Sequence, residues 1–232
     1  MKKYFYLLLL INIIAIAQTD FNKLDEKGLK HGVWKGFFEE SKRLRYQGTF
    51  EHGSETGTFN YYDDTAAASL IGVRIFNVKD KSVYTTFYDQ KKNIVSEGKS
   101  VNKLKDGTWK YYHEASTVVM TTEFYKQGKL DGIRTVFYKS GVVAEETNYK
   151  NGIKEGVYKK LTEKSILLET VNYKNNEYEG LAIYRDPNNN IVSQGLYKNG
   201  KKIGIWKFFI DGKFVSQTNF NFQGKKFAKG KR

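Results

Sequence analysis

Apolar and polar residues alternate along the chain in short runs that are separated by glycine or by asparagine–glycine pairs. No window of a dozen residues shows an apolar period of 3.6 residues free of such punctuation, so the pattern does not favour helices. Turn signals recur roughly every 12 residues, as at Asn151-Gly152, Asn199-Gly200 and Asp211-Gly212. Because these dipeptides accept positive φ and close tight hairpins, the pattern predicts an all-β chain of consecutive β-hairpins.

Glycines spaced 24 or 25 residues apart divide the chain into repeats. The interval from Gly57 to Gly107 is twice as long, and halfway through it Ser82 aligns with the repeat glycine. The eight anchor positions are therefore 32, 57, 82, 107, 132, 156, 180 and 204. With two strands per unit, the repeats predict sixteen strands in one long, twisted antiparallel meander sheet.

Aromatic residues recur at fixed places after each anchor. Two residues after it stand Trp34, Phe59, Tyr84, Trp109, Arg134, Tyr158, Ala182 and Trp206. Four residues after it stand Gly36, Tyr61, Thr86, Tyr111, Val136, Lys160, Tyr184 and Phe208. Strand residues two apart share a face, so both sets line one face, whereas the residues five after the anchor, Phe87 among them, point to the other.

This aromatic ladder is the one feature of the repeats with ligand potential. A carbohydrate or peptide groove would use seven of its side chains: Trp34, Tyr61, Trp109, Tyr111, Tyr184, Trp206 and Phe208. The alternative interpretation is purely structural, since stacked rings hold a one-layer sheet together without any ligand. Exposure of the three tryptophans distinguishes the two interpretations.

The unit from Tyr197 to Phe209, with Asn199-Gly200-Lys201, Gly204 and Trp206 in order, resembles the MORN repeat in its bacterial variant. The likeness covers about residues 32 to 227 and depends on repetition. It implies a hairpin array without enzymatic activity and a role in attachment to proteins or membrane surfaces. Bacterial members are often labelled antitoxin components. A weaker likeness, carried by Trp109-Lys110-Tyr111-Tyr112, is to choline- or glucan-binding repeats of cell walls.

The N-terminus has the features of a signal peptide. Lys2 and Lys3 precede an apolar stretch from Tyr4 to Ile14, and Ala15 and Ala17 supply the small residues that a signal peptidase needs. About eleven apolar residues are too few to span a bilayer. We therefore expect a signal peptide at 1–17, a cap at 18–31, eight repeats at 32–227 and a basic tail at 228–232, in a protein exported to the periplasm, cell surface or medium.

Charge adds a second candidate surface. The formal net charge is +14, and the excess of positive charge is concentrated near the C-terminus. The candidate anion-binding residues are Lys225, Lys226, Lys229, Lys231 and Arg232. They suit anionic lipid or polysaccharide, although lysines near a last strand also protect a sheet edge from pairing. Export argues against a nucleic-acid partner, and the chain has no RNP-type motif or recognition helix.

Catalytic and metal-binding patterns are absent from the sequence. With no cysteine, the chain has no disulfide, zinc-thiolate site or cysteine nucleophile. His31, His52 and His113 are far apart in the sequence, and His52 and His113, which lie at predicted turns, are interpreted as surface residues. No P-loop, nucleophile elbow or H-E-x-x-H occurs. We expect no enzyme activity and no cofactor.

Three functions remain open. The leading hypothesis is an exported, non-enzymatic repeat protein that presents a long sheet to a protein or cell-envelope component. The second is an antitoxin-like inhibitor that neutralises a toxin protein, which fits poorly with a signal peptide. The third is docking to anionic lipid or polysaccharide through the basic C-terminal end.

Overall fold

The computed structural model describes residues 20–222. The predicted signal peptide and the five basic residues of the candidate anion-binding end lie outside this range. The described chain forms an antiparallel sheet of eighteen strands, followed by a short 3₁₀ turn at Phe220–Phe222. The strands are β1 Lys23–Leu24, β2 Lys30–Phe37, β3 Leu44–Glu51, β4 Ser54–Tyr62, β5 Leu70–Asn77, β6 Ser82–Tyr88, β7 Ile94–Val101, β8 Leu104–Tyr112, β9 Val119–Lys126, β10 Lys129–Leu130, β11 Gly132–Phe137, β12 Val143–Lys150, β13 Ile153–Leu161, β14 Leu167–Lys174, β15 Glu177–Arg185, β16 Ile191–Lys198, β17 Lys201–Ile210 and β18 Lys213–Asn219.

The strands pair in chain order. Each is antiparallel to the next, and the only departure is at β9, which pairs with both β10 and β11. Within the described residues the sheet is open, with β1 paired to β2 at one end and β18 paired to β17 at the other. The predicted fold, tandem hairpins in one antiparallel sheet, is confirmed. Two strands go beyond the expected sixteen: β1 precedes the repeats, and β10 is a short strand just before β11.

The anchor glycines are required by backbone conformation. Gly204, for example, has φ of 62°, and a Cβ built on it would meet no atom within 4 Å. Gly204 belongs to β17, and the pairing of β17 with β16 shifts register between Gln194 and Leu196. The glycine therefore lies where a bulge bends the strand. Left-handed backbone favours glycine, and this explains why the same residue recurs in almost every repeat.

The third repeat is the exception, and the sequence alignment there was wrong by one residue. Gly57 pairs with Phe76, and Phe76 pairs with Val83, so Val83 and not Ser82 occupies the anchor position. Between β5 and β6 the register runs unbroken from the pair Gly72–Phe87 to the pair Asn77–Ser82, whereas the pairings of β4, β8 and β17 with their preceding strands each show a shift. Because this strand has no bulge at its anchor, it does not need glycine.

The shift changes which side chains of β6 face the packed side of the sheet. Thr85 pairs with Gly98, and Gly98 pairs with Trp109, which places Thr85 in the row that the alignment assigned to Tyr84. Phe87 likewise takes the place assigned to Thr86. Tyr84 points to the opposite face, where it is 41% exposed.

Aspartates close several of the turns. The Asp89 carboxylate accepts hydrogen bonds from the backbone amides of Lys91 and Asn93 and from the Asn93 side-chain amide, all at 2.8 Å. Asp186 makes the equivalent bonds to the backbone and side chain of Asn190. These bonds provide acceptors for the backbone amides of the turn, which have no partner in a neighbouring strand.

No helix in the described part of the chain is long and apolar enough to span a membrane.

Candidate functional site

The candidate site is built on one face of the sheet, termed here the packed face. Its central row contains the residues two after each anchor, and four rings lie buried in it: Phe59, Trp109, Tyr158 and Trp206. Phe59 and Trp206 have no exposed surface at all. A single sheet thus buries large rings by packing them against neighbouring strands, since most aromatic contacts join residues of adjacent strands.

Three of these positions pack directly onto a glycine of the neighbouring strand. A Cβ built on Gly195 would lie 2.4 Å from the Trp206 ring, and one on Gly98 would lie 2.4 Å from the Trp109 ring. The indole nitrogens donate to backbone carbonyls beside the same glycines, from Trp206 to Leu196 at 3.1 Å and from Trp109 to Lys99 at 2.8 Å. The rings are therefore fixed from below by contact and at the edge by a hydrogen bond.

Lysines two residues before the anchor cover the rings from above. The Lys202 Nζ lies 4.0 Å from the centroid of the Trp206 ring, and the Lys105 Nζ lies 4.5 Å from that of Trp109. Lys30 makes the same contact with Trp34 at 4.5 Å. These half-buried ammonium groups bind the faces of the rings through cation–π attraction, so they belong to the packed face although their sequence pattern suggests solvated charges.

Carboxylates lie among the tyrosines of the packed face. The Tyr158 hydroxyl donates to Glu145 at 3.2 Å, and the Tyr178 hydroxyl donates to Glu169 at 3.2 Å. Burial, followed by the nearby charge of Glu145, raises the pKa of Tyr158 well above its usual value. The tyrosines therefore remain neutral hydrogen-bond donors across the physiological pH range.

The seven predicted ligand-binding aromatics all lie on the packed face, in two adjacent rows. Trp109 and Trp206 are buried, whereas Trp34, Tyr61, Tyr111, Tyr184 and Phe208 are half-buried. Buried tryptophans favour the structural interpretation for those two positions. Binding by the half-buried rings stays a prediction, as does binding by the C-terminal basic residues.

The residues opposite the anchors reveal a gap in the packed face. In six other repeats, the anchor pairs with an aromatic residue of the next strand. These residues are Phe50, Phe76, Tyr125, Tyr149, Tyr173 and Tyr197. In the third repeat, Val83 pairs with Ser100. Since Thr85 also replaces a ring in the central row, this repeat lacks two aromatic side chains that most of its neighbours have.

A groove of about 720 Å³ lies beside this gap. Its apolar lining includes Phe50, Phe76 and Val83, and charged residues of both signs border it, among them Glu55 and Lys81. The groove continues to the turns that follow β3, β5 and β7. It is large enough for several side chains of a bound partner, and we name it the third-repeat groove.

Arg74 connects the third-repeat groove to the aromatic rows. It lines the groove, and its guanidinium lies 4.9 Å from the centroid of Phe76. It occupies the central row, since it pairs with Phe59 on one side and with Thr85 on the other. Sequence reasoning missed this arginine and the groove. The misaligned anchor placed Tyr84 in the central row, so the sequence did not indicate that rings are missing there. The absence of an anchor glycine in the third repeat was the signal that could have revealed the difference.

Other departures from the aromatic pattern leave no such gap. Arg134 lies 3.2 Å from Glu123 and 3.6 Å from Glu145, so ion pairs fill its position. Ala182 is fully buried under neighbouring side chains. The third repeat therefore differs from the fifth and seventh repeats, which also lack a ring two residues after the anchor.

The histidines do not all behave as isolated surface residues. His31 and His52 are exposed, but their ring centroids lie 5.0 Å apart. His113 is half-buried, and its Nε2 lies 3.0 Å from the carbonyl oxygen of Phe137. The topology thus brings together two histidines that lie 21 residues apart in the sequence.

Comparisons with known proteins support the repeat interpretation. A search of curated proteins found no match. Among solved structures, a protein of unknown function from Bacteroides fragilis NCTC 9343 is 9% identical, with 73% of this chain and 95% of that chain covered and a TM-score of 0.13; such a likeness supports no conclusion. Residues 130–151 and 178–199 match the MORN repeat variant. These segments confirm the resemblance to the MORN repeat, whose members generally serve in binding or scaffolding.

Proposed function

We propose that this protein is an exported, non-enzymatic scaffold that binds a protein or cell-envelope partner through the third-repeat groove. The observation that supports this proposal is the gap in an otherwise filled face. Neighbouring repeats have rings at the positions of Thr85 and Ser100, and the groove that borders this gap has an apolar lining with charges at its rim. This combination suits apolar side chains of a partner that also offers charged groups.

The sequence supports export, since the features of residues 1–17 are those of a cleavable signal peptide. Export also favours this proposal over the antitoxin alternative, because a toxin partner would be cytoplasmic. Mass spectrometry of the N-terminal peptide after cell fractionation separates the two. A chain that begins at Gln18 outside the cytoplasm supports the proposal, whereas an intact chain in the cytoplasm would favour the antitoxin.

The groove itself is tested by site-specific photocrosslinking in the native cells. A photoreactive phenylalanine analogue replaces Val83 in the groove, and a control chain carries it at Leu181, which is 51% exposed on the opposite face. We expect a discrete adduct from position 83 that is absent from position 181. Identical adducts from both positions, or none from position 83, would count against the groove.

Charge at the groove rim provides a second test. The double variant Lys81→Glu/Lys103→Glu changes two exposed groove residues, and Lys139→Glu/Lys164→Glu makes the same charge change at exposed turns elsewhere. We expect the first variant to lose the adduct at position 83 and the second to keep it. Binding that weakens equally in both would indicate a general charge effect, as docking to anionic lipid or polysaccharide predicts.

A further inference from the structure

The N-terminal hairpin and the turn after β3 bring three metal-ligating side chains together. Asp25 lies in the turn between β1 and β2, His31 is the second residue of β2, and His52 lies in the turn between β3 and β4. Each offers one ligand atom, and these atoms lie within 4.8 Å of one another. None of the three side chains lines the third-repeat groove, although Glu51 and Gly53 on either side of His52 do.

The backbone around the three side chains is well ordered by hydrogen bonds. Asp25 Oδ1 accepts the amides of Lys27 and Leu29, both at 2.9 Å, which fixes the carboxylate and leaves Oδ2 directed towards His52. The amide of Gly53 donates to the carbonyl oxygen of Lys30 at 2.8 Å. This bond ties the turn that carries His52 to the strand that carries His31.

The carboxylate is well placed to act as a ligand. Its side chain is only 10% exposed, and Oδ2 lies 2.7 Å from Nδ1 of His52. Both imidazoles belong to exposed residues, which leaves an approach from solvent for an ion.

We propose that Asp25, His31 and His52 form a binding site for a divalent transition-metal ion, with Zn²⁺ as the best fit. Two imidazoles and one carboxylate are a donor set that suits zinc, whereas magnesium and calcium prefer oxygen ligands alone. Ligand atoms around tetrahedral zinc lie about 3.3 Å apart, given bonds of about 2.0–2.1 Å. The three donors, within 4.8 Å of one another, would approach that spacing by side-chain rotation, and water would complete the coordination.

The bound ion would link the β1–β2 hairpin to the turn between β3 and β4. The β1–β2 hairpin carries two of the ligands and the β3–β4 turn carries the third, so the ion would close the N-terminal end of the array. An ion that binds only the folded chain raises its stability by mass action. The site therefore predicts a zinc-dependent increase in the thermal stability of the protein.

The test is a titration of the tag-free, chelator-treated full chain with Zn²⁺, followed by calorimetry and by the melting temperature. We expect one equivalent to bind and the melting temperature to rise. His31→Gln and His52→Gln should each weaken binding at least about tenfold, since loss of even an outer-shell partner costs 10–100-fold. The control is His113→Gln, because His113 is the remaining histidine and contacts Phe137 in another repeat.

Several outcomes would overturn the site. These are the absence of saturable binding, full affinity in both variants, or a loss of binding in His113→Gln. An equal rise in melting temperature with Ca²⁺ at the same concentration would also count against a transition-metal site. Far-UV circular dichroism of each variant establishes that the fold is kept, as expected for glutamine at the exposed positions 31 and 52.

Discussion

Replacement of Gly195 by alanine tests whether rings packed on glycine hold this one-layer sheet together. The added Cβ would lie 2.4 Å from the Trp206 ring, whereas ordinary contacts begin near 3.4 Å. The ring has no exposed surface and no free side towards which to move. Overpacking of this kind costs about 1–3 kcal/mol, and displacement of the indole from the Leu196 carbonyl adds about 0.5–1.5 kcal/mol.

Backbone preference acts in the opposite direction. Gly195 does not have positive φ, so alanine fits the strand and by itself stabilises it by about 0.5–1 kcal/mol. The net expectation for Gly195→Ala is a loss of about 2 kcal/mol in the free energy of unfolding. In a Trp206→Ala background the clash disappears, and the same change should stabilise the protein slightly.

The two substitutions should therefore be strongly non-additive. Trp206→Ala alone should cost about 3–5 kcal/mol, and the coupling between the two sites should reach about 2–3 kcal/mol. Denaturant unfolding followed by far-UV circular dichroism gives all four free energies without using the tryptophan as a probe. Effects that add to within about 0.5 kcal/mol would refute the reasoning.

A matched control comes from Gly72 in β5. It is also buried and also has no positive φ, but a Cβ there would lie 3.8 Å from its nearest neighbours. We expect Gly72→Ala to be neutral or stabilising by up to about 1 kcal/mol. A loss as large as that of Gly195→Ala would mean that strand glycines matter for a reason other than contact with a ring.

Three further predictions concern charge and protonation. The side chain of Asn93 and the turn amides hold the pKa of Asp89 below its usual value. This turn therefore stabilises the fold above about pH 4, and its contribution is lost as the pH falls through the lowered pKa. In acid unfolding, Asp89→Asn should reduce the dependence of stability on pH below about pH 4. Burial raises the pKa of Tyr112 to about 12, so stability should fall above about pH 10, where unfolded tyrosine ionises. Ultraviolet titrations of the native protein and of Tyr112→Phe should differ by one phenol that ionises well above pH 10. Lys202→Met should cost about 0.5–2 kcal/mol through the lost cation–π contact, whereas Lys201→Met at an exposed site should be neutral when both are measured by denaturant unfolding.

The fold could be predicted because its determinants are local. A glycine with positive φ lies at the anchor bulge of most repeats, as at Gly107, and short turns join each strand to the next. Both leave a mark in the sequence at a fixed interval. Antiparallel neighbours in chain order then follow without any long-range information.

The third repeat could not be aligned from the sequence, because its anchor strand is regular. Without a bulge it needs no glycine, and a one-residue error exchanges the two faces of a strand. The error placed Tyr84 on the packed face in place of Thr85. The gap that borders the groove became visible only when the pairing of Val83 with Ser100 was known.

The cluster of Asp25, His31 and His52 escaped the sequence for a different reason. Its members come from two hairpins whose packing depends on contacts between turns, such as the bond from Gly53 to Lys30. Spacing along the chain carries no signal for such contacts. The lysines over the rings were hidden in the same way, since a strand lysine by itself predicts only a solvated charge.

The gap in the third repeat also bears on how the array comes apart. In a linear array each unit contacts only its neighbours, so cooperativity depends on the coupling between adjacent units. On the N-terminal side of the third repeat, rings that contact each other across strands provide that coupling. On its C-terminal side, Lys105 contacts the rings of Trp109 and Tyr125, whereas Thr85 and Ser100 provide no ring. Amide hydrogen exchange should accordingly reveal a subglobal opening centred on β6 and β7, which separates the array into an N-terminal block of two repeats and a C-terminal block of five.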